Sequence, residues 1–339
     1  IGFKSGNTTI KIGGFLKMVA SQSRFSDGEV ATNSLGRDFY LPQSIPTGGG
    51  RSSRVQDFTA KQTRLWLNLS TDVAGHKVTG YLETDFQTSP GTQGSQRTTN
   101  GYNLALRRAF IQVGRFTFGQ DWSTFQYIGS LPESTDFLGV TEGTVFVRQP
   151  LVRYSHPFSK DLTLHVAVEN AESGTSNLGD PALIENGDDR MPDLTARLAW
   201  SGSLGELSLA GLARQVRVQN NDIRDTNFGW GVSGAGKIYL RSDKRSDIRF
   251  MATYGNNAGR YIGLNFAPDS VYNPATGKLA DVREFAAMAA ARIALAGTLR
   301  TNLMGSYQTV RYAAPLPEAG IGTFNKRAWT LAATLFWSR

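Results

Sequence analysis

Arg64-Leu65-Trp66-Leu67-Asn68-Leu69-Ser70 is the stretch on which the fold turns. Leu65, Leu67 and Leu69 recur at every second position, with Arg64, Trp66, Asn68 and Ser70 between them. A strand sends successive side chains to opposite faces, so this segment has one apolar and one polar side. In a soluble sheet the apolar side packs a core. In a membrane barrel it meets lipid, and the polar side meets water in the lumen.

The same rhythm runs through the rest of the chain. About fourteen strand-like segments are readable, the first over residues 8–25 and the last over 326–339. Between them lie segments at 60–71, 77–88, 102–113, 116–125, 150–156, 161–170, 193–201, 206–218, 227–241, 247–255, 282–296 and 298–310. A polar, glycine-rich stretch is expected over 26–57, and a polar loop over 89–101. Connections alternate between short and long, as in an antiparallel up-and-down sheet with turns at one end and loops at the other. The alanine-rich segment 284–295 has helical propensity. Its alternation, with Phe285, Ala287, Ala289, Ala291, Ile293 and Leu295 on one face and Arg292 on the other, favours a strand.

Bulk composition permits a membrane protein without announcing one. Hydrophobic residues make up 40% of the 339 positions and mean hydropathy is −0.28. No run approaches the roughly 18 apolar residues of a membrane helix, but a barrel needs only alternate apolar residues. Cysteine is absent, which excludes disulfides and thiolate chemistry. The formal charge of +8 favours anionic partners. The basic residues are spread one or two to a strand, without the dense cluster and interleaved aromatics of a nucleic-acid surface, so no nucleic-acid partner is expected.

The polar faces settle the choice between core and lipid. They carry Lys11, Lys17, Arg64, Lys77, Arg153, Arg197, Lys237, Arg241, Arg249, Arg292 and Arg300, together with Glu83, Asp85, His165 and Glu169. Many long strands in simple order, with no amphipathic helix to cover them, suit a closed sheet with an aqueous channel. Trp122, Tyr154, Trp200, Tyr254, Trp329 and Trp337 lie near strand ends, where interfacial aromatic girdles belong. The fold class expected is all-β: a transmembrane antiparallel up-and-down β-barrel over residues 1–339.

Arg107 and Arg108 interrupt the pattern. Strict alternation places Arg107 with Ala109 inside and Arg108 with Leu104, Leu106 and Phe110 outside. A polar group facing lipid at mid-depth costs a few kcal/mol, so a subunit interface is expected there. That predicts a homotrimer with residues 102–125 near its axis.

Other chemistry fails on context. Gly229-Trp230-Gly231-Val232-Ser233-Gly234 fits the GxGxxG pattern, but another alternating run follows where a helix should open. Small residues in a strand packed close to another surface explain it. His76, His156 and His165 lack metal-ligand spacing, and no nucleophile elbow or P-loop is present. No enzyme activity, metal or cofactor is expected.

The order of motifs resembles the DcaP-like family of trimeric Gram-negative outer-membrane porins. Gly13-Gly14-Phe15-Leu16-Lys17, Phe39-Tyr40-Leu41-Pro42-Gln43-Ser44-Ile45-Pro46 and Gly80-Tyr81-Leu82-Glu83-Thr84-Asp85-Phe86 carry the resemblance. So do Tyr102-Asn103-Leu104-Ala105-Leu106-Arg107-Arg108-Ala109-Phe110, Gly119-Gln120-Asp121-Trp122-Ser123-Thr124-Phe125, Pro132-Glu133-Ser134-Thr135-Asp136-Phe137 and Arg148-Gln149-Pro150. It implies channels of about 16 strands that pass small anions, including dicarboxylates. It also implies a periplasmic coiled-coil stretch and one more hairpin. With Leu335-Phe336-Trp337-Ser338-Arg339 at its end in place of a terminal aromatic, and Ile1 at its start, the given sequence is expected to be incomplete at both termini.

The function expected is passive diffusion of small anionic solutes. Lys17, Arg64, Arg107, Arg153, Arg197, Arg249, Arg292 and Arg300 are the candidate basic wall. Residues 126–148 resemble the porin loop that folds into the lumen, with Glu133, Asp136 and Glu142 expected to face wall cations. The surroundings implied are the lipid bilayer and outer-leaflet lipopolysaccharide. Two alternatives remain: a channel for neutral sugars, stacking on Trp66 and Tyr81, or a plugged barrel with an adhesive or enzymatic role.

Overall fold

The computed structural model describes residues 2–32, 34–87, 101–136, 138–220, 223–313 and 316–338. The loop expected over 89–101 lies outside them except for Gly101. Contacts divide the chain into two units, Ile1–Trp122 with Arg148–Tyr154, and Ser123–Val147 with Ser155–Arg339.

The first unit is an antiparallel meander. Its strands are β1 (Gly2–Ser5), β2 (Thr8–Phe15), β3 (Val19–Phe25), β4 (Ser53–Thr59), β5 (Arg64–Val73), β6 (His76–Asp85), β7 (Ala105–Val113), β8 (Phe116–Trp122) and the first part of β9 (Arg148–Pro157). β1 pairs with β2, β2 with β5, and each later strand with the next. The turn between β5 and β6 runs through Ala74 (φ 52°) and Gly75 (φ 80°), a tight hairpin that suits glycine. Asp72 Oδ1 accepts the Gly75 amide at 2.9 Å and fixes the corner.

The long first strand expected over 8–25 is two strands. β3 leaves the main ladder and pairs with β4 in a separate hairpin, because residues 16–18 have no strand partner and a turn at Lys61-Gln62 interrupts the other arm. The polar stretch 26–57 is also more ordered than its composition indicated. It holds a short helix α1 (Leu35–Phe39), whose first turn is capped by Ser34 Oγ accepting the Arg37 amide at 3.2 Å. Arg37 then grips Asp57 of β4 through Nε and Nη2, at 2.6 and 3.0 Å.

The second unit contains β10 (Leu162–Glu169), β11 (Gly174–Asn177), β12 (Asp180–Glu185), β13 (Asp193–Gly202), β14 (Gly205–Asn220), β15 (Ile223–Tyr239), β16 (Asp247–Asn256), β17 (Ser270–Asn273), β18 (Lys278–Ala294), β19 (Leu299–Tyr312) and β20 (Arg327–Trp337). The main ladder is antiparallel, β10–β13–β14–β15–β16–β18–β19–β20. The alanine-rich segment is strand β18. Three short strands inside the long loops were not legible: β11 pairs antiparallel with β12 and parallel with β17, and β17 pairs with β18. Phe266, Val271, Val282, Val310, Leu316 and Phe324 pack those loops on one another.

Burial is inverted relative to a soluble sheet. Leu331 is 76% exposed and Trp337 66%, while Asn302 and Gln308 are fully buried. Leu65, Leu82, Leu198, Leu209, Ile248, Phe285 and Leu303 all stand exposed on the apolar faces. Charged and amide side chains are mostly exposed in proteins without special surroundings; here they line the protected face. Trp200 and Trp337 lie near short turns, and Tyr254 and Trp329 near long loops, all on the outward parity of their strands. Trp122 instead stacks beneath the Arg148 guanidinium at 4.9 Å.

Candidate functional site

On the polar face of the first unit, four arginines share three carboxylates. Arg107 Nε donates to Glu83 at 2.8 Å and its Nη1 to Asp85 at 2.6 Å. Arg64 lies 3.4 Å from Asp85 and 3.6 Å from Glu83. Asp121 bridges Arg108 at 2.6 Å and Arg153 at 3.0 Å. Low exposure strengthens such charge-assisted contacts and makes each partner costly to remove.

Arg108 does not face lipid, which overturns the strict-alternation reading. The β6–β7 register shifts so that Glu83 opposes Arg108 while Thr84 opposes Leu106. Arg107 is therefore the extra residue of a β-bulge, and a bulge sets two residues against one on the partner strand. Both guanidiniums reach the polar face, while Leu104, Leu106 and Ile111 stay outside. Arg108 also lies over the rings of Tyr81 and Phe110, at 4.9 and 5.2 Å. The bulge removes the physical ground on which a subunit interface was expected at Arg108.

The rings proposed for sugar stacking are engaged within the unit. Tyr81 stacks on Phe110 at 5.4 Å and donates to Glu83 at 2.8 Å. Trp66 covers Gly13, where an added Cβ would meet its ring at 2.2 Å.

In the second unit, residues 123–147 lie on the polar face of β14–β19. Phe125, Val140, Val145 and Val147 pack on Ala210, Leu212, Ala235, Met251, Met288 and Met304. Burying a side chain such as Phe125 contributes roughly 1.5–3 kcal/mol. Two glycines make the approach possible. A Cβ on Gly231 would come 3.0 Å from Phe125 Cζ, and one on Gly143 2.6 Å from the Ala287 carbonyl. Gly231 belongs to the GxGxxG run, which is uninterrupted strand β15, so close packing accounts for its small residues.

Three wall arginines hold the loop, and a fourth, Arg292, stands beside them on the wall. Arg197 Nη1 donates to the Gln126 carbonyl, and Arg249 Nη1 to the Leu131 carbonyl at 2.5 Å. Arg300 Nε donates to Glu133 Oε2 at 2.8 Å, and its Nη2 contacts the other carboxylate oxygen. Arg292 and Arg249 share Asp247, at 2.6 and 2.8 Å. The Arg300 hydrogen bond holds the Glu133 carboxyl below the usual carboxylate range, against a smaller opposing effect of burial. Further along, Thr124 N donates to Glu169 at 2.7 Å. Tyr261 meets Phe125 edge-on at 5.7 Å and donates to Asp193 at 2.7 Å. Burial and the neighbouring Asp193 push that phenol well above its ordinary pKa.

The loop acids part company. Glu133 meets a wall cation. Asp136 instead caps its own turn, accepting from Ser134 Oγ at 2.7 Å and from the Leu138 and Gly139 amides at 3.1 and 2.8 Å. Glu142 is fully buried, accepts from Thr141 Oγ1 at 3.4 Å, and has no ion-pair partner among the described residues. Lys17 sits off the strands, between β2 and β3, with its amide donating to Thr63 Oγ1 at 3.2 Å.

Sequence reasoning missed Arg108, Asp121 and Asp247 as members of these networks. It also missed Arg214, which is fully buried between Asp269 at 2.6 Å and Asp193 at 3.4 Å. Arg214 lay on a strand whose parity was readable, but its acids come from distant segments.

The structure is similar to that of the outer membrane channel DcaP of Acinetobacter baumannii, with a TM-score of 0.74 and 22% identity, covering 99% of this chain and 89% of that one. It is also similar to OmpF of Salmonella typhi, solved in complex with daunomycin, with a TM-score of 0.55 and 10% identity, covering 100% and 89%. At these identities the likeness shows the fold alone. Curated proteins gave no significant match. The family profile of the Porin subfamily matches residues 5–338. The chain therefore belongs to the Porin subfamily, as an outer-membrane β-barrel channel.

Proposed function

We propose that the channel passes small anionic solutes, dicarboxylates among them, by passive diffusion, with residues 126–148 setting the constriction. The observation that carries this reading is the charge count where the loop meets the wall. Arg197, Arg249 and Arg300 bond the loop there, with Arg292 beside them on the wall; among the described residues Asp247 pairs with Arg249 and Arg292, and Glu133 with Arg300. The network of Arg64, Arg107, Arg108 and Arg153 against Glu83, Asp85 and Asp121 leans the same way. Guanidiniums bind carboxylates bidentately, and several weak sites in series allow passage where one tight site would trap the solute.

Liposome influx measurements test the substrate class. Small dicarboxylates are expected to enter faster than neutral sugars of similar size. Equal rates, or sugar preference, contradict the reading.

The assembly belonging to this reading is a homotrimer. Leu104, Leu106, Ile111, Phe116 and Phe118 form an exposed apolar strip on and beside β7 and β8, the surface offered to such a contact in this reading. A mass in mild detergent three times that of the chain is expected, and a monomeric mass contradicts it.

A further inference from the structure

The β3–β4 hairpin has two distinct faces. Ser23, Phe25, Ser53 and Asp57 face the segment that carries α1. Ser23 hydrogen-bonds Tyr40 at 2.7 Å, and Asp57 holds Arg37. The opposite face is exposed throughout. It pairs Ala20 with Phe58, Gln22 with Gln56, and Arg24 with Arg54, each directly across the ladder. Like charges placed directly opposite destabilise an antiparallel pair. Among the described residues neither Arg24 nor Arg54 has an ion-pair partner to offset this.

The same outward row continues below the hairpin through Met18 and Leu16, and then Ile12, all exposed. Its chemistry is graded: aliphatic, then aromatic and small, then amide, then cationic. At strand rise, Gln22 and Gln56 lie about 7 Å, and Arg24 and Arg54 about 13 Å, beyond the Ala20–Phe58 rung, on the side away from exposed Met18 and Leu16. The long-loop end, where the hairpin projects, faces outward in this class of barrel.

We infer that Arg24 and Arg54 form a phosphate clamp for an anionic glycolipid of the outer leaflet, lipopolysaccharide, with its acyl chains along Phe58, Met18 and Leu16. Two adjacent guanidinium forks match a phosphate dianion, and binding one relieves their mutual repulsion. The Arg37–Asp57 pair and the Ser23–Tyr40 contact brace the hairpin behind them. The inference rests on the outer-membrane location and is independent of which solute the channel passes.

Native mass spectrometry of the detergent-purified protein, titrated with lipopolysaccharide, with phosphatase-treated lipopolysaccharide and with inorganic phosphate, tests it. The wild type is expected to bind lipopolysaccharide at least about tenfold more tightly than the R24Q/R54Q double variant. Removal of the lipid phosphates should erase that difference, and R24K/R54K, which keeps the charge but not the fork, should restore only part of it. Unchanged single-channel conductance in the double variant shows that the barrel is intact. Equal lipid binding by wild type and double variant overturns the inference. So does protection by inorganic phosphate alone, which assigns the pair to a soluble anion. A change in oligomer mass without a change in lipid binding assigns the row to a contact between copies and also overturns it.

Discussion

Arg300 on β19 clasps Glu133 of the loop through both oxygens of its carboxylate, with Nε to Oε2 at 2.8 Å. This contact ties the 123–147 segment to the wall by charge as well as by packing. It also spends one of the wall's cations on the loop's own acid, so its two halves have opposite consequences for ion preference.

Removing each half should move selectivity in opposite directions. Glu133→Ala frees a guanidinium, and anion preference should rise. Arg300→Ala leaves a carboxylate without its partner, and anion preference should fall. The stability change in either variant should stay near 1 kcal/mol, because both side chains remain partly solvated. Reversal potentials across a salt gradient read the difference, and shifts of the same sign in both variants contradict the assignment.

The clasp should be insensitive to pH across the neutral range. The folded-state pKa of Glu133 is depressed, chiefly by its hydrogen bond from Arg300. Its contribution is therefore fully present above the ordinary glutamate value of about 4.3 and is lost as pH falls through the lowered value. Current noise from loop motion should stay flat from neutral pH down to that range and rise only below it. Noise that rises between pH 7 and pH 5 rules out this clasp as the controlling contact.

Gly231→Val should displace the loop. A Cβ there already sits 3.0 Å from Phe125 Cζ, and a branched side chain has nowhere to go. Overpacking of this kind costs about 1–3 kcal/mol. The predicted readout is a changed single-channel conductance in a protein that still assembles. Wild-type conductance in a folded G231V variant would mean the loop does not rest on β15.

Arg107 and Arg108 should differ in cost. Arg107→Ala removes the shortest ion-pair contacts of two buried carboxylates, leaving Glu83 and Asp85 the longer contacts to Arg64 at 3.6 and 3.4 Å, and about 3 kcal/mol should be lost. Arg108→Ala leaves Asp121 with Arg153 and should cost less. Urea unfolding in detergent or lipid measures both, and equal losses argue against the bulge geometry.

Leu331 provides the test of the outward face. At 76% exposure on β20 it stands in the apolar row, and Leu331→Arg should cost about 2–4 kcal/mol near mid-membrane. A neutral effect on folding into bilayers places that face in water.

Alternation made most of the architecture legible. β20 switches between exposed and partly buried at every residue, as a two-residue rhythm demands. Parity failed where the backbone adds a residue, and nothing in Leu106-Arg107-Arg108-Ala109 marks the bulge in advance. The wall arginines were visible one by one, but their acids were not. Asp247 lies at the start of β16, two residues before Arg249, and its other partner Arg292 comes from β18. One signal was present and unread. Ala210, Leu212, Ala235, Met251 and Met288 are apolar residues at polar-face positions, and they mark where the loop docks. The alanine-rich stretch of β18 has the same cause on one side, with Ala286 and Ala290 in the cluster beneath the loop.

The proposed function requires surplus guanidiniums along the wall to make this porin anion-selective. The most direct measurement is the zero-current potential of the wild-type channel in a planar bilayer under a tenfold potassium chloride gradient at neutral pH. The sign of an anion-preferring pore is predicted, with the preference falling as Arg197, Arg249 and Arg292 are replaced in turn by glutamine. A cation-preferring sign, or a preference unmoved by those substitutions, would contradict it.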